Sequence, residues 1–279
     1  MTGKAPGDAG FVFVSLHPHV PGDEIIALSP GKVFSGPEIS LLERAGAAVV
    51  PQNVKADQYR AIASVCQRIF PDYGNRFGFE GKCGNLALFE KFGLPHPETW
   101  AYDEAAAFKA AHPEAPPFGF PFVIKTDRGG GGNGVFLVKN FEEQKAALAL
   151  IGDRPFVAQK YVDHRGADLR VVILGDALYP YWRIQDDPAE FRNNVGRGAR
   201  ILYDFLPDLT SAGLGAAAAL RAETGINCAA VDILFNRSAK APQALLGEVN
   251  FVFGRKGMGG TERFRELFRQ AVNRWTRLK

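Results

Sequence analysis

A glycine-rich loop between two apolar segments, within residues 121–135, is the feature that most constrains this fold. Residues 122–124 form a short apolar run with strand character that ends in Lys125, and residues 135–138 form a second apolar run. Glycine has no Cβ, so its N–H can approach an anion closely, and Lys125 adds a compact positive charge. The pattern predicts either a phosphate-binding loop or a mobile hairpin tip. The loop glycines are Gly129, Gly130, Gly131, Gly132 and Gly134, interrupted only by Asn133.

Two common phosphate-binding motifs do not describe this loop. A Walker loop would continue with GK[ST], which does not follow these glycines. A dinucleotide fingerprint would open a helix, whereas the segment after this loop is predicted to be a strand. The choice between phosphate loop and hairpin tip therefore depends on the rest of the chain.

The composition is that of an ordinary globular chain of 279 residues, with 46% apolar and 23% charged residues. A net charge of +3 is too small to indicate nucleic acid or an anionic membrane as a partner. Cys66, Cys83 and Cys228 lie far apart without a CxxC pair, which is typical of buried thiols in a reducing compartment. The first ten residues hold no long apolar run, and no segment reaches the length of a membrane span. We expect a soluble, cytoplasmic protein.

The N-terminal residues are predicted to form a small α/β domain after a disordered tail at residues 1–10. Strands are predicted at residues 11–16 and 48–50, and helices at residues 37–47 and 56–70. The loop after the first strand contains His17 and His19. Because no cysteine or carboxylate lies nearby at ligand spacing, these histidines are expected to be solvated rather than metal ligands.

The remaining chain alternates helices and strands. Helices are predicted at residues 81–92 and 103–111, the second with Asp103 as its N-cap. An amphipathic helix at residues 261–278 closes the chain, and its apolar stripe is expected to pack in the core. Between them the pattern predicts a helix at 141–151, strands at 156–162, 168–174 and 178–184, an arginine-dense segment, a helix at 210–223, and strands at 228–235 and 244–252.

Two carboxylates and an amide lie on the last two predicted strands. Asp232 interrupts an apolar run, and Glu248 and Asn250 are two residues apart, so they project to the same face of a strand. If the strands are neighbours, Asp232 can face the other two. These hard oxygen ligands suit a magnesium ion that bridges phosphate oxygens. The alternative is that Asp232 and Glu248 form salt bridges with arginines at the edge of the core.

The order of motifs resembles that of the ATP-grasp ligases, most closely the RimK-like branch of α-L-glutamate ligases. The resemblance covers about residues 81–250. It implies an α/β (α+β) fold, in which two α/β lobes clasp ATP after a small N-terminal α/β pre-ATP-grasp domain. The implied domains are residues 11–78, residues 79–162 with the glycine loop, and residues 163–279 with the metal site and C-terminal helix. The motifs are Lys82, Lys125, TDRGGGGNGV, AQKYV, GADLR, FRNNVGRG, VDILF and EVN.

The resemblance also implies roles for individual residues. Lys125 and Lys82, the latter in preference to Lys91, would contact the phosphates of ATP, and Asp168 would hold the ribose. Arg192, Asn194 and Arg183 would form the catalytic set. The loop residues Gly130, Gly131, Gly132, Asn133 and Gly134 would close over the phosphates, Gln159, Lys160, Tyr161 and Val162 would meet the adenine, Arg192, Asn193 and Asn194 would lie near the triphosphate, and Asp232, Glu248 and Asn250 would bind magnesium or manganese.

The chain departs from the family pattern at three places, one of which is a polar insertion at residues 236–243, between Asp232 and Glu248, predicted to be a hairpin loop. Lys160 stands where an acid usually lies beside the adenine segment. After Asn250 the family often continues with a small-Pro-Gly turn, whereas this chain has FVFGRKGMGG at residues 251–260. That segment is expected to border the substrate site, so the identity of the substrates stays open.

The resemblance implies an ATP- and magnesium-dependent ligase that adds glutamate or another amino acid to a peptide or small metabolite. An ATP-grasp phosphotransferase and a non-catalytic nucleotide-binding regulatory module are the alternatives, and the complete set of metal ligands argues against the second. A homo-oligomer is compatible with the sequence. Cations for an acidic substrate, or else a solvated basic face, are offered by Arg170, Arg183, Arg197, Arg200 and Arg255.

Overall fold

A computed structural model describes residues 12–277, so the predicted tail at residues 1–10 lies outside the described residues. The first elements are β1 (Phe13–Ser15), β2 (Glu24–Ile25), α1 (Gly36–Glu43), β3 (Ala47–Val49), α2 (Ala56–Ala63) and β4 (Ile69–Phe70). The strands form a parallel sheet in the order β2-β1-β3-β4. The apolar run at residues 47–50 is fully buried, as expected for a parallel strand covered on both faces.

Three predictions for this region are wrong. The helix predicted at residues 56–70 ends at Ala63, and its last two residues form β4. Short apolar runs are ambiguous by periodicity alone, and pairing with β3 decides for the strand. The loop predicted at residues 17–24 includes Glu24, which together with Ile25 pairs with β1 as an edge strand. His17, expected to be solvated, is half-buried and stacks on Phe268 with ring centroids 4.8 Å apart.

The second sheet is antiparallel and carries the glycine loop. Its strands are β5 (Thr99–Tyr102), β6 (Phe122–Thr126), β7 (Val135–Val138) and β8 (Phe156–Lys160), in the order β5-β8-β6-β7. The helices of this region are α3 (Gly81–Lys91), α4 (Ala105–Ala111) and α5 (Phe141–Ile151). The N-cap of α4 is Glu104 rather than the predicted Asp103. Alternation along β6 sends Phe122 and Ile124 into the core, which leaves Val123 and Lys125 on the opposite face.

The third sheet is antiparallel and has five strands. They are β9 (Ala167–Leu174), β10 (Ala177–Ile184), β11 (Arg200–Leu202), β12 (Cys228–Phe235) and β13 (Ala244–Asn250), in the order β11-β10-β9-β12-β13. The strand β11 lies in the arginine-dense segment, where no strand was predicted. Helix α6 (Pro207–Thr224) starts with a proline, which suits a first helical position, and ends at Gly225 with φ of +71°.

The last helix, α7 (Thr261–Arg277), joins the N-terminal sheet to the third sheet. Its predicted apolar stripe is buried, including Phe264, Leu267, Phe268, Ala271 and Val272. The Phe268 ring lies 5.4 Å from that of Phe70 on β4, centroid to centroid. Among residues 12–277, no helix combines the length and apolar character needed to cross a membrane.

Candidate functional site

A cavity of about 510 Å³ is lined by the glycine loop and β8 of the second sheet and by one face of the third sheet. Among the described residues, its lining carries seven Lys or Arg side chains against three Asp or Glu, which suits a polyanion. Of the predicted site residues, only Gly134 does not line it. The others are Lys82, Lys125, Gly130, Gly131, Gly132, Asn133, Gln159, Lys160, Tyr161, Val162, Asp168, Arg183, Arg192, Asn193, Asn194, Asp232, Glu248 and Asn250.

Strand register brings the predicted metal ligands together. Asp232 on β12 lies opposite Glu248 on β13, and directly opposed residues of antiparallel strands point to the same face. Asn250, two residues beyond Glu248, projects to that face as predicted. On its other side, Asp232 lies opposite Arg170 on β9, which in turn lies opposite Tyr181 on β10. One row of side chains therefore crosses four strands at the base of the cavity.

A chain of ion pairs connects two acids in this face. Arg170 binds Asp232 through Nε–Oδ1 and Nη2–Oδ2 contacts of 2.6 and 2.8 Å. Arg183 binds Asp168 in the same way, at 2.7 and 2.6 Å, and its Nη2 also lies 3.0 Å from Oδ2 of Asp232. Burial opposes the charge of Asp232, but the two arginines outweigh it and hold its pKa at about 2. The alternative interpretation, an aspartate in salt bridges with arginines, thus describes part of this site.

The two lysines occupy different surroundings. Nζ of Lys125 donates to Oε1 of Gln159 at 2.8 Å, and desolvation lowers the pKa of Lys125. Nζ of Lys82 lies 3.4 Å from both the Gly129 carbonyl and Oε1 of Glu248, so it bridges the glycine loop and the acidic face. Lys91 lies over the rings of Phe79 and Phe92, outside the cavity lining.

The backbone of the glycine loop requires glycine at specific positions. Gly132 has φ of +78°, and a Cβ there would lie 2.7 Å from Oδ1 of Asn194. Gly134 has φ of +73°, and its Cβ would lie 2.1 Å from Oγ1 of Thr126, so it closes the hairpin rather than lining the cavity. At Gly130, in contrast, a Cβ would meet no heavy atom within 4 Å, so this position has room for a side chain.

The segment after β8 forms one wall of the cavity. Gln159 is buried between Lys125 and Thr99, whereas the Lys160 side chain is exposed and pairs with Glu98 at 3.3 Å. His164, buried at the end of this segment, contacts the side chain of Asn193. Sequence reasoning did not select His164, and the one signal for it was its position two residues after Val162.

Sequence reasoning also missed Tyr181 and Phe191, which line the cavity. Alternation along β10 could have identified Tyr181, since it lies two residues before Arg183 on the same face. Its ring packs directly on Gly257, where a Cβ would lie 2.1 Å from the ring. Gly257 belongs to the segment after Asn250, which borders the cavity through Val252, Phe253, Gly254, Lys256 and Gly257.

The five arginines considered for an acidic substrate are not equivalent. Arg170 and Arg183 line the cavity but are neutralised by aspartates. Arg200 is exposed and pairs with Asp186, and Arg255 lies over the ring of Phe264, both outside the cavity lining. Arg197 contacts the glycine loop.

The donor set on the third sheet fits a magnesium ion. Asp232, Glu248 and Asn250 offer hard oxygens on one face, and a carboxylate engaged by arginine retains further lone pairs. Within the described residues, Nδ2 of Asn250 is buried without a hydrogen-bond partner, but an amide nitrogen is a donor, so Oδ1 is the atom of Asn250 that would ligate a cation. The same residues contain no cluster of three Asp, Glu, His or Cys side chains placed for a metal, so the third ligand would be the amide.

A family profile, curated relatives and solved structures are similar to this chain. A profile described as the RimK-like ATP-grasp domain matches residues 81–261. The chain is 34% identical over 144 residues to a probable alpha-L-glutamate ligase 2 of Shewanella frigidimarina, which is 50% of this chain and 46% of that protein. It is 39% identical over 85 residues to human N-acetylaspartylglutamate synthase A, covering 30% of this chain and 22% of that protein. The matches thus span less than half the length of these curated relatives.

Solved structures share the fold at low sequence identity. A RimK domain ATP-grasp protein from Sphaerobacter thermophilus superimposes with a TM-score of 0.59 and 19% identity, over 94% of this chain and 98% of that one. The VanG D-Ala:D-Ser ligase of Enterococcus faecalis gives a TM-score of 0.59 and 16% identity, over 83% of this chain and 73% of that one. At these identities the likeness shows the ATP-grasp fold.

Proposed function

This chain belongs to the RimK-like ATP-grasp family, and from that premise we propose that it is an ATP- and magnesium-dependent ligase that joins a carboxylate to an amine through an acyl-phosphate. The observation that carries the proposal is the cavity in which Lys125, the glycine loop and the Asp232–Glu248–Asn250 face meet. Those groups are the ones that a reaction of a triphosphate needs, namely cations, close backbone N–H groups and hard oxygen ligands.

Binding of ATP would use both walls of the cavity. Lys125 and Lys82 would contact the phosphates, and the glycine loop would cover them. The segment Gln159–Lys160–Tyr161–Val162 would meet the adenine. Asp168 would accept hydrogen bonds from the ribose hydroxyls with the lone pairs that Arg183 does not engage, because an ionised carboxylate offers about four acceptor sites.

Asp232, Glu248 and Asn250 would hold the magnesium ion, which when bound neutralises charge on the phosphate oxygens. Lys82 is paired with Glu248 in this structure, and it would exchange that carboxylate for a phosphate. Arg170 and Arg183 hold Asp232 in a fixed orientation, so the chain itself supplies the geometry of this ligand.

Phosphoryl transfer to a carboxylate develops negative charge, which is stabilised by positioned cations rather than by a covalent nucleophile. Arg192 and Asn194 lie where they would meet the transferred group, beside the glycine loop. A closed loop would also exclude water, which would otherwise hydrolyse the acyl-phosphate before the amine attacks.

The substrates would enter beside residues 252–257. We expect glutamate or another amino acid to be joined to a peptide or small metabolite, in line with the ligase names of the relatives. Arg170 and Arg183 are internally neutralised, so Lys256 is the cation at this end of the cavity that would meet an acidic group.

The direct test measures ADP and phosphate release with magnesium-ATP across a panel of carboxylates and amines, with mass spectrometry of every active mixture. Release of both ions together with a condensation mass would support the ligase. ADP with a phosphorylated product would indicate a phosphotransferase instead of a ligase. ATP binding without turnover on any mixture would favour a regulatory module. Glu248→Gln is the site variant, and Glu262→Gln, in an exposed ion pair with Arg265, is the matched control.

A further inference from the structure

Glu190 holds the guanidinium of Arg192 by both of its oxygens. Nε of Arg192 donates to Oε1 at 2.6 Å and Nη2 donates to Oε2 at 2.7 Å. The backbone N–H of Arg192 also donates to Oε1, at 3.0 Å. A planar fork bound by two parallel hydrogen bonds has little freedom to rotate, so the direction of its remaining nitrogen is fixed.

That remaining nitrogen points to the glycine loop. Nη1 of Arg192 donates to the carbonyl of Gly132 at 3.1 Å. Arg197 makes parallel contacts, from Nε to the carbonyl of Gly131 at 3.0 Å and from Nη2 to Oδ1 of Asn133 at 2.8 Å. Nη1 of Arg197 lies 3.7 Å from Oε2 of Glu190, so one carboxylate faces both arginines.

The Glu190–Arg192 pair differs from an ordinary surface ion pair. Asp186 and Arg200, in the same segment, form such a pair, with side chains 58% and 57% exposed. The Glu190 and Arg192 side chains are only 16% and 24% exposed, and the arginine continues into the loop. Screening by solvent makes exposed pairs weak, whereas enclosed bidentate pairs are stronger and more directional.

We propose that Glu190 is a positioning residue, which orients Arg192 so that placement of this arginine and closure of the glycine loop occur together. The coupling within the ligand-free protein depends only on the contacts above. Its effect on catalysis rests on the proposed function, in which Arg192 meets the transferred phosphoryl group.

The first test is amide hydrogen exchange of the loop at residues 129–135 in the ligand-free protein. Glu190→Gln keeps the shape of the side chain but loses the charge and one acceptor. The probe is the N–H of Asn133, which donates to the Gly130 carbonyl. We expect its exchange rate to rise about tenfold, which corresponds to about 1.4 kcal/mol less free energy of local opening. Glu190→Asp should restore part of the protection, and Asp186→Asn is the matched control. Exchange in Glu190→Gln equal to that of the control would overturn the proposal.

A double-variant cycle shows whether Glu190 acts through Arg192. Arg192→Lys keeps a charge but cannot form the fork, so adding Glu190→Gln to it should raise loop exchange by less than Glu190→Gln does alone, the remainder acting through Arg197. Additive increases in the double variant would contradict a shared action. Neither measurement uses ATP or a substrate, so a failure of the ligase assignment is read separately from a failure of this inference.

In the active enzyme, Glu190→Gln should lower kcat at least tenfold while the KM of the amine substrate stays within about twofold, since only the phosphoryl step involves Arg192. An unchanged kcat, with loop exchange raised, would restrict the action of Glu190 to the loop and overturn its effect on catalysis. Asp186→Asn should keep both parameters.

Discussion

Asp232 and Glu248 lie opposite each other and are assigned the same metal, but the structure predicts that their removal has different effects on stability. The Asp232 side chain is 12% exposed and engages two arginines, of which Arg170 is 13% exposed. The Glu248 side chain is 33% exposed and has one ionic contact, with Lys82 at 3.4 Å, within the described residues. The substitutions Asp232→Asn and Glu248→Gln preserve shape and remove charge, so they isolate this difference.

The magnitudes follow from burial. Asp232→Asn leaves the guanidinium of Arg170 without its counter-charge, and breaking a buried pair costs about 3–5 kcal/mol. Arg183 keeps Asp168, so we expect about 3 kcal/mol of lost unfolding free energy and a melting temperature lower by about 6 °C or more. Glu248→Gln should cost less than about 1 kcal/mol, because a partly exposed pair is screened by water.

The assays are urea unfolding and ADP release. Both variants should lose activity by at least about 100-fold, which corresponds to roughly 2.7 kcal/mol of barrier. Equal unfolding curves for the two variants would refute the role of the ion-pair chain in stability. Near-normal ADP release by Glu248→Gln would refute the metal assignment, whatever the stability result.

Three further outcomes are expected. Gly132→Ala should weaken ATP binding at least tenfold by calorimetry, because its φ is +78° and Asn194 crowds the Cβ. Gly215→Ala, on the exposed side of α6 with open space and outside the cavity lining, is the control, and equal affinities would contradict the loop geometry. Lys125→Met should weaken ATP binding without lowering the melting temperature, since burial already lowers the pKa of this lysine; a large loss of stability would contradict the assignment to phosphate binding. Burial, with smaller contributions from His19, Arg255 and Arg265, lowers the pKa of His17 from 6.5 to about 4. As the pH falls, His17 therefore takes up its proton at a higher pH in the unfolded chain than in the folded protein, so the free energy of unfolding should decrease between pH 6.5 and pH 4. His17→Asn should make that decrease smaller in urea unfolding, and an unchanged pH dependence would contradict the burial of a neutral ring.

Local patterns in the sequence determined much of this protein. Alternation along a strand is enough to place Glu248 and Asn250 on one face, because the side-chain period of two does not depend on the neighbours. The run of glycines after Lys125 likewise determined a strand–loop–strand unit, and the spacing of apolar residues determined the buried stripe of α7. The ordered motifs indicated the ATP-grasp fold, which the comparisons confirm.

Tertiary pairing decided whether short apolar segments form helix or strand. Residues 69–70 continue a helical pattern in the sequence, yet they form β4, since hydrogen bonds to β3 bury them on a sheet. The edge strand β2 and the strand β11 are two and three residues long, too short for any periodicity to show.

The site as a whole was decided by register between distant strands. The sequence offers Arg170, Arg183, Asp168 and Asp232 as separate charges, and only the pairing of β9 with β10 and β12 converts them into one chain of ion pairs. The same holds for Glu190, whose partner Arg192 contacts a glycine that lies 60 residues earlier in the chain. A sequence specifies which side chain lies on which face of its own strand, but the energy of burying opposite charges together depends on contacts that form only when the sheets are assembled.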